Sequence, residues 1–191
     1  MPLEKLPLKN ALGLIMNKLS VHWFRRDLRL EDNHGLSLAL ESGNPVLPIF
    51  IFDSLILDEL DPSDARLSFI HKSVAHLKSA IQAKGGDLLV LHGNPEKIWE
   101  ELITTYNIAS VYTNQDYEPY ARKRDEAVKQ ILKSGATQFT SVKDQVIFAK
   151  NEVVKDDGKP YTVYTPYKNK YRKLLKDNHY TAYQGSGKWH S

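Results

Sequence analysis

Charged and polar side chains follow three apolar stretches of this sequence, at the points where buried strands would end. Arginines alternate with acids and leucines in residues 25 to 32, directly after the first stretch. Asp53 follows the second stretch, and Asp116 and Glu118 follow the fourth. Guanidinium groups can hold a planar anionic ligand, or they can tie a loop down through paired contacts with carboxylates. Both interpretations of the arginines are open at this stage.

Several other chemistries are not indicated. The chain has no cysteine, which excludes disulfides, cysteine zinc sites and thiol catalysis. His71 and His76 are five residues apart, a spacing that does not place two ligands on one helix face. No G-x-G-x-x-G or P-loop follows the first strand, so an ordinary dinucleotide dehydrogenase or P-loop phosphotransferase is not expected. No nucleophile stands with a base and an orienting group in a recognisable pattern.

The bulk composition is that of one α/β domain with some extra length. The chain has 191 residues, of which 41% are hydrophobic and 26% charged. Its net charge of +3 is too small to establish nucleic-acid binding, although residues 150 to 188 are rich in lysine and tyrosine. No apolar run is long enough to cross a bilayer, so no membrane partner is expected. A reducing, cytoplasmic location fits the absence of cysteine.

Five segments are predicted to be strands. They are Leu19 to Phe24, Val46 to Phe52, Leu88 to Leu91, Ser110 to Thr113 and, more weakly, Val146 to Phe148. The first four are nearly continuous apolar runs, which is typical of strands buried on both faces of a parallel sheet.

Helical patterns fill the gaps between the strands. The clearest begins after Asp61, a candidate cap, and Pro62, and its apolar stripe runs from Leu67 to Ile81. Three further helices are predicted. The first ends before Gly43, the next begins at Asn94-Pro95, and the last runs from Pro119 to Gly135. The alternation predicts a doubly wound, Rossmann-like α/β fold, with about five parallel strands and helices on both faces. Ligands of such sheets bind at the carboxyl ends of the strands.

These segments, taken in order, resemble the photolyase/cryptochrome family. The resemblance rests first on WFRRDLRLEDN at the end of the first strand, residues 23 to 33. The other matching motifs are PVLPIFIFD (45 to 53), Arg66, the Gly93-Asn94-Pro95 turn, NQDYEPYARKRD (114 to 125) and PYTVYTPYKNKY (160 to 171). Together they cover roughly Leu19 to Leu175.

The resemblance implies a division of the chain. Residues 1–18 are expected to be an N-terminal extension, 19–150 the α/β antenna domain, and 151–191 the start of an interdomain connector. The FAD-binding C-terminal domain of the family would follow and is absent from this sequence. In photolyases that domain repairs pyrimidine dimers in damaged DNA with light-excited reduced flavin. The full-length parent is therefore expected to be a deoxyribodipyrimidine photo-lyase, and the fragment alone to bind an antenna pigment at most.

The resemblance also implies a set of pigment-binding residues. Apolar side chains would flank a flat ring, while carboxylates and arginine would take its polar edge and hydroxylated tail. The residues are Arg26, Phe50, Ile51, Phe52, Asp53, Arg66, Leu67, Ile70, Asp116 and Glu118. A deazaflavin is the expected antenna chromophore, with FMN, methenyltetrahydrofolate or an empty pocket as alternatives. Folate-binding relatives carry an Asn-Glu pair where this chain has Tyr120-Ala121, which disfavours folate.

Other functions stay open on the sequence. One is a cryptochrome-type blue-light photoreceptor without repair activity, and another is a stand-alone nucleotide-binding α/β module. The tyrosines and lysines of residues 159 to 173 are expected to pack against the FAD domain, although such a mixture is also typical of nucleic-acid surfaces.

Overall fold

A five-stranded parallel sheet forms the centre of the protein. The computed structural model describes residues 18–61 and 63–190. Its strands are β1 (Leu19–Phe24), β2 (Val46–Asp53), β3 (Leu89–Gly93), β4 (Ile108–Asn114) and β5 (Gln138–Val142). They lie in the order β3-β2-β1-β4-β5, and every neighbouring pair is parallel. The strand order reverses between β1 and β4, so a ligand crevice is expected beyond their carboxyl ends.

Six α-helices accompany the strands within residues 18–61 and 63–190. They are α1 (His34–Glu41), α2 (Ser54–Leu57), α3 (Ala65–Gln82), α4 (Pro95–Thr105), α5 (Pro119–Ser134) and α6 (Tyr164–Leu174). Asn94 caps α4 by accepting hydrogen bonds from the backbone N–H groups of Glu96 and Lys97, which confirms the predicted start of that helix. No helix within the described residues is long and apolar enough to cross a membrane.

The sheet has a separate apolar core on each face. On one face, Trp23, Ile51 and Val111 pack with Trp99 of α4 and Val128 of α5. On the other face, Phe24, Phe50 and Val90 pack with Leu36 of α1 and Leu77 of α3. Because side chains alternate along a strand, β1 to β4 each contribute to both cores. The predicted doubly wound architecture is confirmed.

Two local predictions were wrong. The fifth strand is Gln138–Val142, whereas residues 146 to 148 form no strand. An edge strand with polar side chains lacks the continuous apolar run that marks a buried strand, so its sequence signal was weak. The cap of α3 is Asp64, which accepts from the backbone N–H of Arg66, while Asp61 instead caps the preceding turn at Ser63. The N-terminal extension and Pro62 lie outside the described residues.

The end of the described chain returns to the sheet. This return segment, residues 183 to 190, runs along α1, where the Tyr183 ring stacks on His34 at 4.0 Å. Farther on, the backbone of Val46 exchanges hydrogen bonds with Lys188 and His190. Trp189 packs against the core that α1 and α3 form on their face of the sheet, the α1–α3 core. Residues 183 to 190 therefore contact the α/β domain, while a domain boundary at residue 150 stays a prediction.

Candidate functional site

The loop after β1 carries three arginines that point to three different partners. Arg25 is buried and donates to both carboxylate oxygens of Asp125, at 2.6 Å to Oδ2. Arg29 donates to Asp144 at 2.7 Å, and Asp144 also accepts from the backbone N–H of His34. For Arg25 and Arg29, the internal ion-pair interpretation is therefore correct.

Arg26 is the arginine that faces the expected ligand crevice. Its Nη2 donates to Glu118 Oε1 at 2.9 Å, and its Nε lies 3.6 Å from Asp116 Oδ2. The guanidinium is 55% exposed and Glu118 is 60% exposed, whereas Asp116 is 9% exposed. The cation therefore bridges the carboxyl ends of β1 and β4 and remains open to a ligand on one side. Sequence reasoning named all three residues, and the fold brings them together.

A polar network beneath this cation fixes the loop. Asp27 Oδ2 accepts from the Asn114 side chain at 2.6 Å and from the Asn33 side chain at 3.1 Å. Asn33 also caps α1, because its Oδ1 accepts from the backbone N–H of Leu36. The network joins the β1 loop, the first turn of α1 and the end of β4, so it holds Arg26 in place from below.

The end of β2 is tied to α5. Asp53 Oδ2 accepts from the Tyr120 hydroxyl at 2.6 Å and lies 3.7 Å from Arg124 Nη1. Its other oxygen caps α2 at the backbone N–H of Leu55. Burial and the hydrogen bond to Asp53 raise the pKa of the Tyr120 phenol. Asp53 is thus engaged by the protein, and ligand contact by Asp53 stays a prediction.

The apolar residues at the end of β2 divide between the two faces of the sheet. Phe50 is buried and meets the partly buried Phe52 edge to face, with ring centroids 4.9 Å apart. Phe52 and Ile70 of α3 both lie against the α1–α3 core. Ile51 is buried on the opposite face. Phe52 and Ile70 therefore share one side of the sheet, and pigment contact by Phe50 or Ile51 stays a prediction.

The first half of α3 is open to solvent. Among its described residues, the buried ones are Val74, Leu77 and Ile81, all in the second half. Leu67 is partly exposed, and Phe69 is 72% exposed. Arg66 donates to Asp64 and contacts neither Arg26 nor the acids beside it within the described structure. Arg66 is therefore paired locally with Asp64, and pigment contact by Arg66 or Leu67 stays a prediction.

Sequence reasoning did not predict the contacts that two residues of α5 make with β2 and β1. Tyr120 binds Asp53, and Arg124 stacks on the Trp23 ring at 5.0 Å while pairing with Asp125. A signal was present, since both lie on α5 one turn apart and would share a face. Their partner on β2 could not be inferred, because the contact spans 67 residues of sequence. Among the described residues, no cluster of three or more acids or histidines could hold a metal ion.

Comparison with known protein families gives a match over most of the chain. A family model described as DNA photolyase matches residues 20 to 184. An uncharacterized 31.6 kDa protein of Synechococcus sp. (strain PCC 6716) is 37% identical, over 78% of this chain and 52% of that protein. The deoxyribodipyrimidine photo-lyase of another Synechococcus strain is 34% identical, over 76% of this chain and 30% of that protein. Cryptochrome-2 of Arabidopsis thaliana is 31% identical, over 80% of this chain and 25% of that protein.

Solved structures give the same result. A class III photolyase from Agrobacterium tumefaciens superposes with a TM-score of 0.79 at 29% identity, covering 93% of this chain and 36% of that one. An archaeal photolyase from Sulfolobus tokodaii, solved with two FAD molecules, gives a TM-score of 0.75 at 26% identity. The match covers 90% of this chain and 38% of that one. The chain thus spans between about a quarter and about half of the length of these relatives.

Proposed function

The chain belongs to the DNA photolyase family, and on that premise we propose that it is the light-harvesting α/β domain of a photolyase. The observation that carries the proposal is the Arg26 cluster. A half-exposed guanidinium between Asp116 and Glu118 stands beyond the ends of β1 and β4. That is where open α/β sheets bind their ligands.

The apolar side of the proposed site is formed by β2 and α3. Phe52 and Ile70 are partly buried there. Leu55 and Phe69 remain exposed on α2 and α3. Large exposed apolar side chains of this kind favour a ligand site, because a bound aromatic ring would remove them from water. Arg66 and Leu67, on the same half of α3, would then contact the pigment from the solvent side.

A deazaflavin is the proposed pigment. The site offers a cation and two carboxylates for the polar edge and hydroxylated tail of such a molecule, and apolar side chains for its flat ring. When bound, the pigment would supply light absorption and transfer of excitation energy. FMN and methenyltetrahydrofolate are alternative antennas. The folate is disfavoured because this chain has Tyr120-Ala121 where folate-binding relatives carry an Asn-Glu pair, and the Tyr120 hydroxyl is already bonded to Asp53.

For the whole protein we propose light-driven repair of pyrimidine dimers. Several relatives are named deoxyribodipyrimidine photo-lyase. The reaction would require an FAD-binding C-terminal domain, with damaged DNA as its substrate. The Tyr- and Lys-rich α6, which has no buried residue, would pack against that domain. The absence of cysteine supports a cytoplasmic location.

A blue-light photoreceptor is the second candidate function. The similarity to cryptochrome-2 of Arabidopsis thaliana covers 80% of the chain. Both functions would share the antenna domain, so the α/β site does not separate them. Repair of a dimer-containing oligonucleotide under blue light, by a protein that includes an FAD domain, would distinguish them.

Binding of a deazaflavin to the purified chain tests the antenna site. The protein is mixed with deazaflavin, FMN or methenyltetrahydrofolate, separated from free pigment by gel filtration, and examined by absorption. We expect deazaflavin to co-elute, and Arg26→Ala or Asp116→Asn to abolish its binding. Arg172→Ala, which changes an exposed arginine of α6, is the matched control and should bind normally. Pigment retained equally by all four proteins would contradict the proposed site.

A further inference from the structure

A second concave surface lies on the β5 side of the sheet. This groove runs between α5, β5 and residues 146 to 150, and its volume is about 1160 Å³. It touches the proposed pigment site only at the end of β4, where Asp116 lines both. Phe52 and α3 lie at the opposite half of the sheet. The groove therefore needs an explanation of its own, which does not rest on the antenna proposal.

The groove carries a net positive charge. Its cations are Arg122, Lys123, Lys129 and Lys150. Arg122, Lys123 and Lys150 have no ion-pair partner among the described residues.

The acids of the groove do not cancel this charge. Asp125 binds Arg25 and Arg124, and Asp116 lies beside Arg26, so arginines outside the groove neutralise both. Glu126 is the remaining acid of the lining and lies 3.9 Å from Lys129. The unpaired charges that face the groove are therefore positive.

Aromatic rings are interleaved with these cations. Tyr117, Phe139 and Phe148 line the groove, and Tyr117 is 38% exposed. Phe148 is held edge to face against Tyr171 of α6, with centroids 4.9 Å apart. The Lys143 ammonium, which is paired with Glu152, lies 5.8 Å from the centre of the Phe148 ring. Fixed rings beside unpaired cations can stack with flat groups whose neighbouring substituents are anionic.

We propose that this groove binds a short single strand of nucleic acid. Its phosphates would lie against Arg122, Lys123 and Lys150, and its bases against Tyr117 and Phe148. A duplex fits less well, because its bases are already stacked on each other and cannot reach the rings.

Fluorescence anisotropy of a labelled oligothymidylate of about twelve nucleotides tests the proposal. The purified chain should bind it at low salt, and binding should weaken as salt rises. The double variant Arg122→Ala/Lys123→Ala should bind about tenfold more weakly, with a salt slope lower by about 1.4, because two phosphate contacts are lost. Tyr117→Leu should weaken binding several-fold at an unchanged salt slope, because it removes a ring and no charge.

The matched control is Lys72→Ala/Lys84→Ala. It removes one exposed lysine of α3 and one exposed lysine of the turn that follows it, and α3 packs on β2 and β3 at the other half of the sheet. Oligonucleotide binding should be unchanged in this variant, and circular dichroism should show that all variants are folded. An equal loss of affinity in the control would overturn the proposal, as would no binding by the wild-type chain. Unchanged affinity in Tyr117→Leu, with heparin competing as well as the oligonucleotide, would reduce the groove to a general polyanion surface and would also overturn it.

Discussion

The Asp27 carboxylate lies 3.5 Å from Nε2 of His22, and both side chains are almost completely buried. Neither ring nitrogen of His22 has a hydrogen bond within the described part of the chain. Burial raises the pKa of Asp27, but His22 and the backbone N–H of Arg25 outweigh that effect and hold it well below the ordinary value of 3.8. Ionised Asp27 thus anchors the loop that carries Arg26.

Asp27→Asn should destabilise the protein by about 3 kcal/mol at neutral pH. The change removes a buried negative charge and turns an acceptor of the Asn33 and Asn114 side chains into a donor. Urea unfolding at neutral pH measures the loss. Glu31→Gln, at an exposed residue of the same loop, should cost less than about 0.5 kcal/mol.

The contribution of Asp27 should also depend on pH in one direction. Because its folded-state pKa is depressed, its stabilisation is fully present above the unfolded value near 3.8 and is lost as pH falls below that value. Urea unfolding from about pH 6 to about pH 2.5 should show wild type losing more stability than Asp27→Asn. Parallel curves for the two proteins would contradict this, because they would show that the pKa of Asp27 is the same in the folded and unfolded states.

Arg25→Ala and Arg26→Ala should affect different properties: the first should lower stability, and the second should lower pigment binding. Arg25 is buried against Asp125, so its removal should cost about 2–3 kcal/mol by leaving a poorly paired carboxylate. Arg26 is half exposed, so its removal should cost less than about 1 kcal/mol. Arg26→Ala should instead lose pigment binding. Thermal unfolding together with gel filtration of the pigment complex separates the two roles, and a strongly destabilised Arg26→Ala would contradict this division.

Tyr120→Phe should lower stability by about 1–2 kcal/mol, because the Tyr120 hydroxyl donates to a buried carboxylate. The wild-type phenol has a raised pKa, so its stabilisation is present below the ordinary value of 10.0 and is lost as pH rises above it. Urea unfolding at about pH 9 and about pH 11 should therefore show a larger loss for wild type than for Tyr120→Phe. A difference between the proteins that does not change with pH would show that Tyr120 titrates normally.

Gly187→Ala should detach the return segment. A Cβ at residue 187 would lie 2.1 Å from the backbone oxygen of Leu40, which cannot move without distorting α1. We expect a loss of about 2 kcal/mol. Hydrogen exchange should accelerate at the amides of Val46 and His190, which bond across this segment. Ser186→Ala, at the exposed neighbouring residue, is the control and should leave exchange unchanged.

The sequence predicted the strands well where burial on both faces requires a continuous run of apolar residues. The bounds of β1 agree at both ends, and β2 differs by the single residue Asp53. The prediction failed at β5, because half-exposed edge positions accept the polar side chains of Gln138–Val142. It also failed at the cap of α3, because Asp61 and Asp64 both precede the helix and both suit a cap.

By itself, the sequence determined the fold class, the family and the loops that carry the candidate site, because those follow from local patterns and ordered motifs. Only the tertiary structure decided which arginine serves which purpose. Arg25 and Arg26 are adjacent and chemically identical, yet one is buried on Asp125 and the other opens to the crevice. Their partners lie about ninety to a hundred residues away, and only the folded sheet brings them together. The same holds for the return segment, whose contact with Val46 depends on the packing of α1.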